Sequence, residues 1–354
     1  RAVLAARERT LGVEHPDSLR AREALARVDY SQGELPEAQV GWYRALRSRN
    51  VREARLASTM GEAGRGAVTR GGFADGDLAS AALQTGDAGL RRLAAASRVT
   101  RHARSHEGVG ALLEGARRSG SGERVDALAA LQREYERLSN ADEPDLSAIR
   151  AAGQGIDELW AELATAGLAT WLEAHQGDPL SDLPATWGAL APGEAMAHLF
   201  QYVTFYPRQT GLAQQGALRY AAFVLRGGDD PAGAPAFIDL GPAATLDDEV
   251  ARFHGILMGD VSGNVLRASH AVYDRLVRPL RPLLGGATTV FVVSDGAAAR
   301  VPWHALVTSM DGGPGGLERY LMDEGLTVLT LSSARELLRT LPPTSGGAPL
   351  VMAP

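Results

Sequence analysis

The sequence contains no cysteine. That excludes disulfides, thiolate metal sites and a cysteine nucleophile from these 354 residues. Lysine is missing too, and all 36 basic residues are arginine. With lysine go the Walker A phosphate loop, the kinase β3 lysine, Schiff-base chemistry and the Ser-x-x-Lys hydrolases. There is no apolar run of about 18 residues and no signal peptide, so a soluble, cytoplasmic chain with no membrane partner is expected. A basic face is lacking as well. The net charge of −6 argues against a direct nucleic-acid binder.

What is present fits a folded protein. Hydrophobic residues make up 45% and charged residues 22% of the chain, an ordinary balance for globular domains. The length suggests two to three domains at about 100–200 residues each. The chain starts at Arg1, inside an apparent helix, and ends at Val351-Met352-Ala353-Pro354, inside an apparent strand. Both ends read as cut from something longer.

Residues 1–48 carry helical spacing through Leu19, Ala21, Leu25, Ala26 and Tyr30. His15-Pro16-Asp17-Ser18 is a helix start, with Pro in the first turn and Asp or Ser placed to cap free amides. After Gly33 a second helix is expected over Glu34–Arg47, with Ala38, Trp42, Ala45 and Leu46 on one face. Small residues at Ala26 and Ala38 would let the two helices approach closely. Residues 49–175 are rich in Ala, Leu, Arg and Glu and read as helical, broken near Gly71-Gly72, Ser119–Gly122 and Asn140–Pro144. A helix over Ser147–Glu173 would precede the next domain.

From about residue 176 strands and helices alternate. The expected strands are Met196–Tyr206, Leu218–Arg226, Ala236–Leu240, Thr288–Ser294, Leu326–Leu331 and Leu350–Ala353. Helices are expected over Leu246–Leu257 and Val265–Leu283. The β-branched and aromatic run Thr288–Val293 suits a strand covered on both faces of a parallel sheet. The fold class expected is α + α/β: helical hairpins, then a three-layer α/β/α domain.

Two resemblances sharpen this. Gly12-Val13-Glu14-His15-Pro16-Asp17-Ser18-Leu19 is similar to the opening of the long tetratricopeptide (TPR) variant, with Leu25-Ala26, Gly33, Ala38, Trp42 and Ala45 at the repeat's spacing. Further along, Arg219–Leu225, Asp239-Leu240-Gly241-Pro242-Ala243 and Tyr273–Leu280 follow one another in the order seen in the CHAT family. So do Val292–Gly296 with Arg300–Leu306, then Arg319–Glu324 and Ser332–Leu338. The chain therefore resembles a TPR–CHAT protein, of the caspase/separase-like clan of cysteine peptidases. The resemblance implies three parts: a TPR-like repeat (1–48), a helical region or degenerate TPR linker (49–175) and the N-terminal part of a CHAT domain (176–354). The family's catalytic His and Cys lie in later motifs, which nothing here matches. Hence no catalytic residue is expected within this chain, and a C-terminal fragment carrying the dyad is an expected partner.

Other candidate residues read as structural. His304 falls beside Pro302-Trp303 at a variable position of the motif. Ser294, Asp295 and His304 suggest a triad, but no G-x-S-x-G elbow accompanies them. His102 and His106 sit one helical turn apart, without a third metal ligand in view. Gly312–Gly316 lacks the lysine of a phosphate loop. Arg44, Arg47, Arg49, Arg52 and Arg55 read as a solvated helix face, with an acidic partner as the alternative. Trp42 reads as core, and Tyr43 lies beside it. No cofactor or metal is expected.

The function implied by the resemblance is part of a bacterial cysteine endopeptidase of the defence or stress-response type. TPR helices would sense a partner protein or peptide, and the caspase-like domain would cut a protein substrate. The alternative is a non-catalytic scaffold that mediates protein–protein interaction.

Overall fold

The computed structural model describes residues 1–57, 73–100, 116–139, 145, 147–156, 158–159, 162–163, 182–206, 215–310 and 318–338. The expected strand Leu350–Ala353 lies outside them. Three helices open the chain: α1 (Ala2–Leu11), α2 (Pro16–Ser31) and α3 (Leu35–Ala57). Pro16 occupies the first turn of α2 as expected, but the cap is different: the His15 ring nitrogen accepts from the Asp17 N–H at 3.2 Å. Helix α3 runs ten residues past Arg47, because no breaker follows it before Ala57.

Helices α2 and α3 form a hairpin around Ala26, Ala38, Trp42, Ala45 and Leu46, all under 4% exposed. The close approach depends on a residue that the periodicity hides. A Cβ built on Gly41, in the second turn of α3, would meet the Cβ of Ala26 at 2.9 Å. Glycine costs a helix roughly 1 kcal/mol relative to alanine; here it lets the two backbones touch.

A second helical pair follows: α4 (Phe73–Thr85) and α5 (residues 88–100). It has two apolar faces. Leu78, Ala81, Ala82, Leu90, Leu93 and Ala94 pack with Trp42 and Tyr30 of the hairpin. Ala79, Ala95, Ala96 and Val99 pack instead against Met196, Phe200 and Phe223 of a sheet. A helix apolar on both sides must be covered on both sides, and this pair is. The described part of the middle region also holds a π-helical turn (Arg117–Ser121), helix α6 (Gly122–Ser139) and helical residues 147–156, 158–159 and 162–163.

The sheet has five strands in the order β3-β2-β1-β4-β7. These are β1 (Glu194–Phe205), β2 (Gln215–Arg226), β3 (Ala236–Pro242), β4 (Thr289–Ser294) and β7 (Thr327–Thr330). The first three form an antiparallel meander. β4 and β7 then add in parallel to β1, with Leu199 opposite Ser294 and Val290 opposite Val328. Each expected strand in the described residues is present to within three residues at either end. The short pair β5 (Val307–Ser309) and β6 (Arg319–Tyr320) was not expected, since two or three residues carry no readable alternation.

Helices α8 (Ala243–Met258) and α9 (Val265–Leu280) cover one face of the sheet. Their Leu246, Val250, Phe253, Val272 and Leu276 pack on Ala197, Leu199, Val290, Val292 and Val328. The other face is covered by α4–α5 and by α7 (Asp182–Gly188), whose Leu183 and Trp187 are buried there. The class is α + α/β with a three-layer α/β/α core, as the sequence implies. Each fully buried Leu, Val or Phe contributes on the order of 1.5–3 kcal/mol.

Polar contacts tie the helical pair to the end of β1. The Phe205 N–H donates to Ser80 Oγ at 2.9 Å, and Gln84 Nε2 donates to the Phe205 carbonyl at 2.8 Å. Tyr30 Oη donates to Gln84 Oε1 at 3.2 Å, extending the link to α2. Arg27 reaches Asp77 at 2.6 Å and lies 5.7 Å from the Phe205 ring.

Candidate functional site

In open α/β sheets, ligands and reacting groups gather at the carboxyl ends of the parallel strands. Here those ends belong to β1, β4 and β7. β4 stops at Ser294, and the Asp295 N–H donates to the Leu199 carbonyl of β1 at 3.1 Å. The chain then turns out through Gly296, at φ +61°, into a 3-10 turn over Gly296–Arg300. β1 continues to Phe205 beside β2 alone. The edge thus opens where β1 and β4 part.

One side chain organises that opening. Tyr220, on β2, is fully buried. Its hydroxyl donates to Asp247 Oδ1 at 2.8 Å and accepts from Gln201 Nε2 and the Ala297 N–H, each at 2.9 Å. Burial, with the Asp247 carboxylate beside it, pushes the Tyr220 phenol up to about 12. The phenol therefore stays neutral and donates. It links β2, β1, α8 and the turn after β4 in one knot. Gly296 is required there: a Cβ would stand 2.4 Å from Tyr220 Oη.

The segment after this turn is pinned to α8 and α9. His254 Nε2 meets the Arg300 carbonyl at 2.6 Å, and His270 Nδ1 meets the Val307 carbonyl at 2.9 Å. Ser269 Oγ donates to the Ala305 carbonyl at 3.0 Å and accepts from the Val307 N–H at 2.9 Å. Trp303 is buried within this segment. At the end of β7, the Leu331 N–H donates to the Val292 carbonyl at 2.8 Å. On the opposite face Arg98 lies over the Phe200 ring at 4.5 Å and donates to the Gln201 carbonyl at 3.1 Å. On the same sheet Tyr202 is raised strongly by burial and further by Asp239, which is held by Arg219.

Of the residues singled out in the sequence, Ser294 is buried at the end of β4 and its hydroxyl has no hydrogen-bond partner among the described residues. His304 is exposed on a 3-10 turn. No hydrogen bond joins the two, so no triad assembles. Among the described residues no hydroxyl–imidazole pair of a nucleophile and its base forms, and no three His, Asp or Glu side chains are placed to hold a metal ion. His102, His106 and Gly312–Gly316 lie outside the described residues, as does the side chain of Arg55. Trp42 is core, fully buried and 5.8 Å from the Tyr30 ring. Arg49 is not solvated: it pairs with Glu23 across the hairpin, and its side chain is only 11% exposed. Arg44 and Arg47 are exposed.

Sequence reasoning missed the Tyr220 knot. Its only local signal is Asp295-Gly296, a strand-end turn with a glycine where the backbone is left-handed.

Residues 266–353 match the family model of the CHAT domain. The match begins in α9, takes in β4, the pinned segment and β7, and supports a caspase-like, peptidase-related fold there. No curated protein and no solved structure matches the chain. Among the described residues no helix is long and apolar enough to cross a membrane.

Proposed function

We propose that this chain supplies the sheet framework of a CHAT-type, caspase-like cysteine endopeptidase whose thiol and imidazole lie on polypeptide outside residues 1–354. The observation that carries this is the coincidence of the CHAT match with the parallel half of the sheet. In such an enzyme a thiolate attacks the scissile carbonyl, and a histidine serves as base and then acid. Both groups need a rigid edge at the carboxyl ends of parallel strands. Tyr220, Gln201 and Asp247 hold the turn after β4, and His254, Ser269 and His270 hold the segment that follows. Helices α1–α5 form the partner-facing layer, and the substrate is a protein.

The absence of cysteine favours a second reading, a non-catalytic scaffold in which the same helices recruit a partner. The coding sequence after Pro354 separates the two. The peptidase requires a His-Gly motif followed, after roughly 40–60 residues of strand, helix and loops, by a cysteine at a strand end. A gene that ends without both supports the scaffold.

A further inference from the structure

Between α3 and α5 lies a groove of about 270 Å³ lined by Gln39, Val40, Tyr43, Gly89, Arg92 and Leu93. Small-molecule sites usually enclose about 300–1,000 Å³; this open groove falls just below that range and admits a bulky apolar side chain. Val40 is 48% exposed on its rim, while Ala38, Trp42 and Leu46 of the same helix are buried. The walls are fixed. Gln39 Nε2 donates to Asp87 Oδ1 at 2.7 Å, and the same oxygen caps the Leu90 N–H at 2.8 Å. Arg92 holds the β2–β3 turn through the Pro231 and Gly233 carbonyls, each at 3.2 Å. Gly89 leaves the floor open where a larger residue would strike Gln39.

Charge says what should sit there. Four arginines of the hairpin, Arg20, Arg22, Arg27 and Arg49, each pair with a carboxylate, as does Arg1 ahead of α1. Arg44 and Arg47 are exposed and make no ion pair among the described residues. Helical spacing of three and four puts them on the same face as Val40 and Tyr43, in line with the groove. An apolar slot extended by two uncompensated cations fits an acidic segment that presents one apolar side chain.

We infer that the α3–α5 groove docks an acidic segment of a partner protein, anchored by one aliphatic or aromatic side chain beside Val40, Tyr43 and Leu93, with its carboxylates on Arg44 and Arg47. This rests on the partner-facing role given above to α1–α5, and it commits that role to one groove and one chemistry. It does not depend on peptidase activity.

The test uses the full chain and a fluorescein-labelled, Glu-rich peptide with one central Phe, read by fluorescence anisotropy. Controls are the same peptide with Gln for Glu and an oligothymidylate of equal length. The expected result is saturable binding of the Glu peptide that weakens with salt, as exposed charge pairs do. Affinity should fall about tenfold or more in Val40→Asp and in the double variant Arg44→Glu/Arg47→Glu, the size of change that marks an anchor residue. Arg252→Glu, an exposed arginine on α8, should leave affinity unchanged. Equal binding by the parent and the groove variants overturns the groove but leaves a partner-facing helical layer standing. Equal or tighter binding of the oligothymidylate, or no binding of the Glu peptide, overturns the acidic-segment chemistry.

Discussion

Replacing Tyr220 with Phe removes one oxygen and leaves three groups short of a hydrogen bond. Asp247 and Gln201 are half-buried, so water replaces part of what they lose. The Ala297 N–H has less recourse, because Ala297 is 7% exposed in the core. Leaving a buried donor unpaired costs about 1–3 kcal/mol. That cost falls on the turn after β4, so local opening there becomes easier by the same amount. At 1.4 kcal/mol per factor of ten, the Ala297 amide should exchange about 5- to 150-fold faster. Hydrogen exchange followed by mass spectrometry over peptides spanning 295–301 reads this directly, with amides in the middle of α9 as the internal control. Unchanged exchange at Ala297 in a folded Tyr220→Phe protein would refute the claim that the phenol holds the turn.

Other perturbations follow from the same contacts. The phenol of Tyr220, raised to about 12 in the fold from its ordinary 10.0, favours the folded state only while it is protonated. Its contribution is therefore complete below about pH 10 and lost as pH climbs toward 12; thermal melts across that window should fall further for the parent than for Tyr220→Phe. Gly296→Ala forces a side chain into a left-handed backbone at about 1–2 kcal/mol and against Tyr220 Oη, and should lower the melting temperature. Trp42→Ala should cost about 3–5 kcal/mol in the hairpin, measured by denaturant titration. Trp42→Phe should cost much less, since Trp42 Nε1 has no hydrogen-bond partner among the described residues to lose.

How much of this was legible in the sequence depended on the range of the interaction. Strands such as Thr289–Ser294 announce themselves through β-branched runs, and the hairpin through Ala26, Ala38 and Trp42 at helical spacing. The role of residues 73–100 was not legible. An Ala-rich helix looks the same whether it is covered on one face or two, and only the fold reveals that Leu78 faces the hairpin and Ala79 the sheet. The Tyr220 knot joins residues 19, 27 and 77 positions apart, beyond any local periodicity. The cap at His15 departs from the expected one: Asp and Ser are the commoner capping residues, but here the imidazole accepts from the Asp17 N–H.

The most direct test of the peptidase proposal is a cleavage assay on two forms of the protein: residues 1–354 alone, and the product of the whole gene. Casein digestion and thiol alkylation would be followed together. The expected result is cleavage by the whole product only, abolished by iodoacetamide and by Cys→Ala at its strand-end cysteine. Cleavage by residues 1–354 alone, or cleavage by the whole product that survives loss of that thiol, would contradict it.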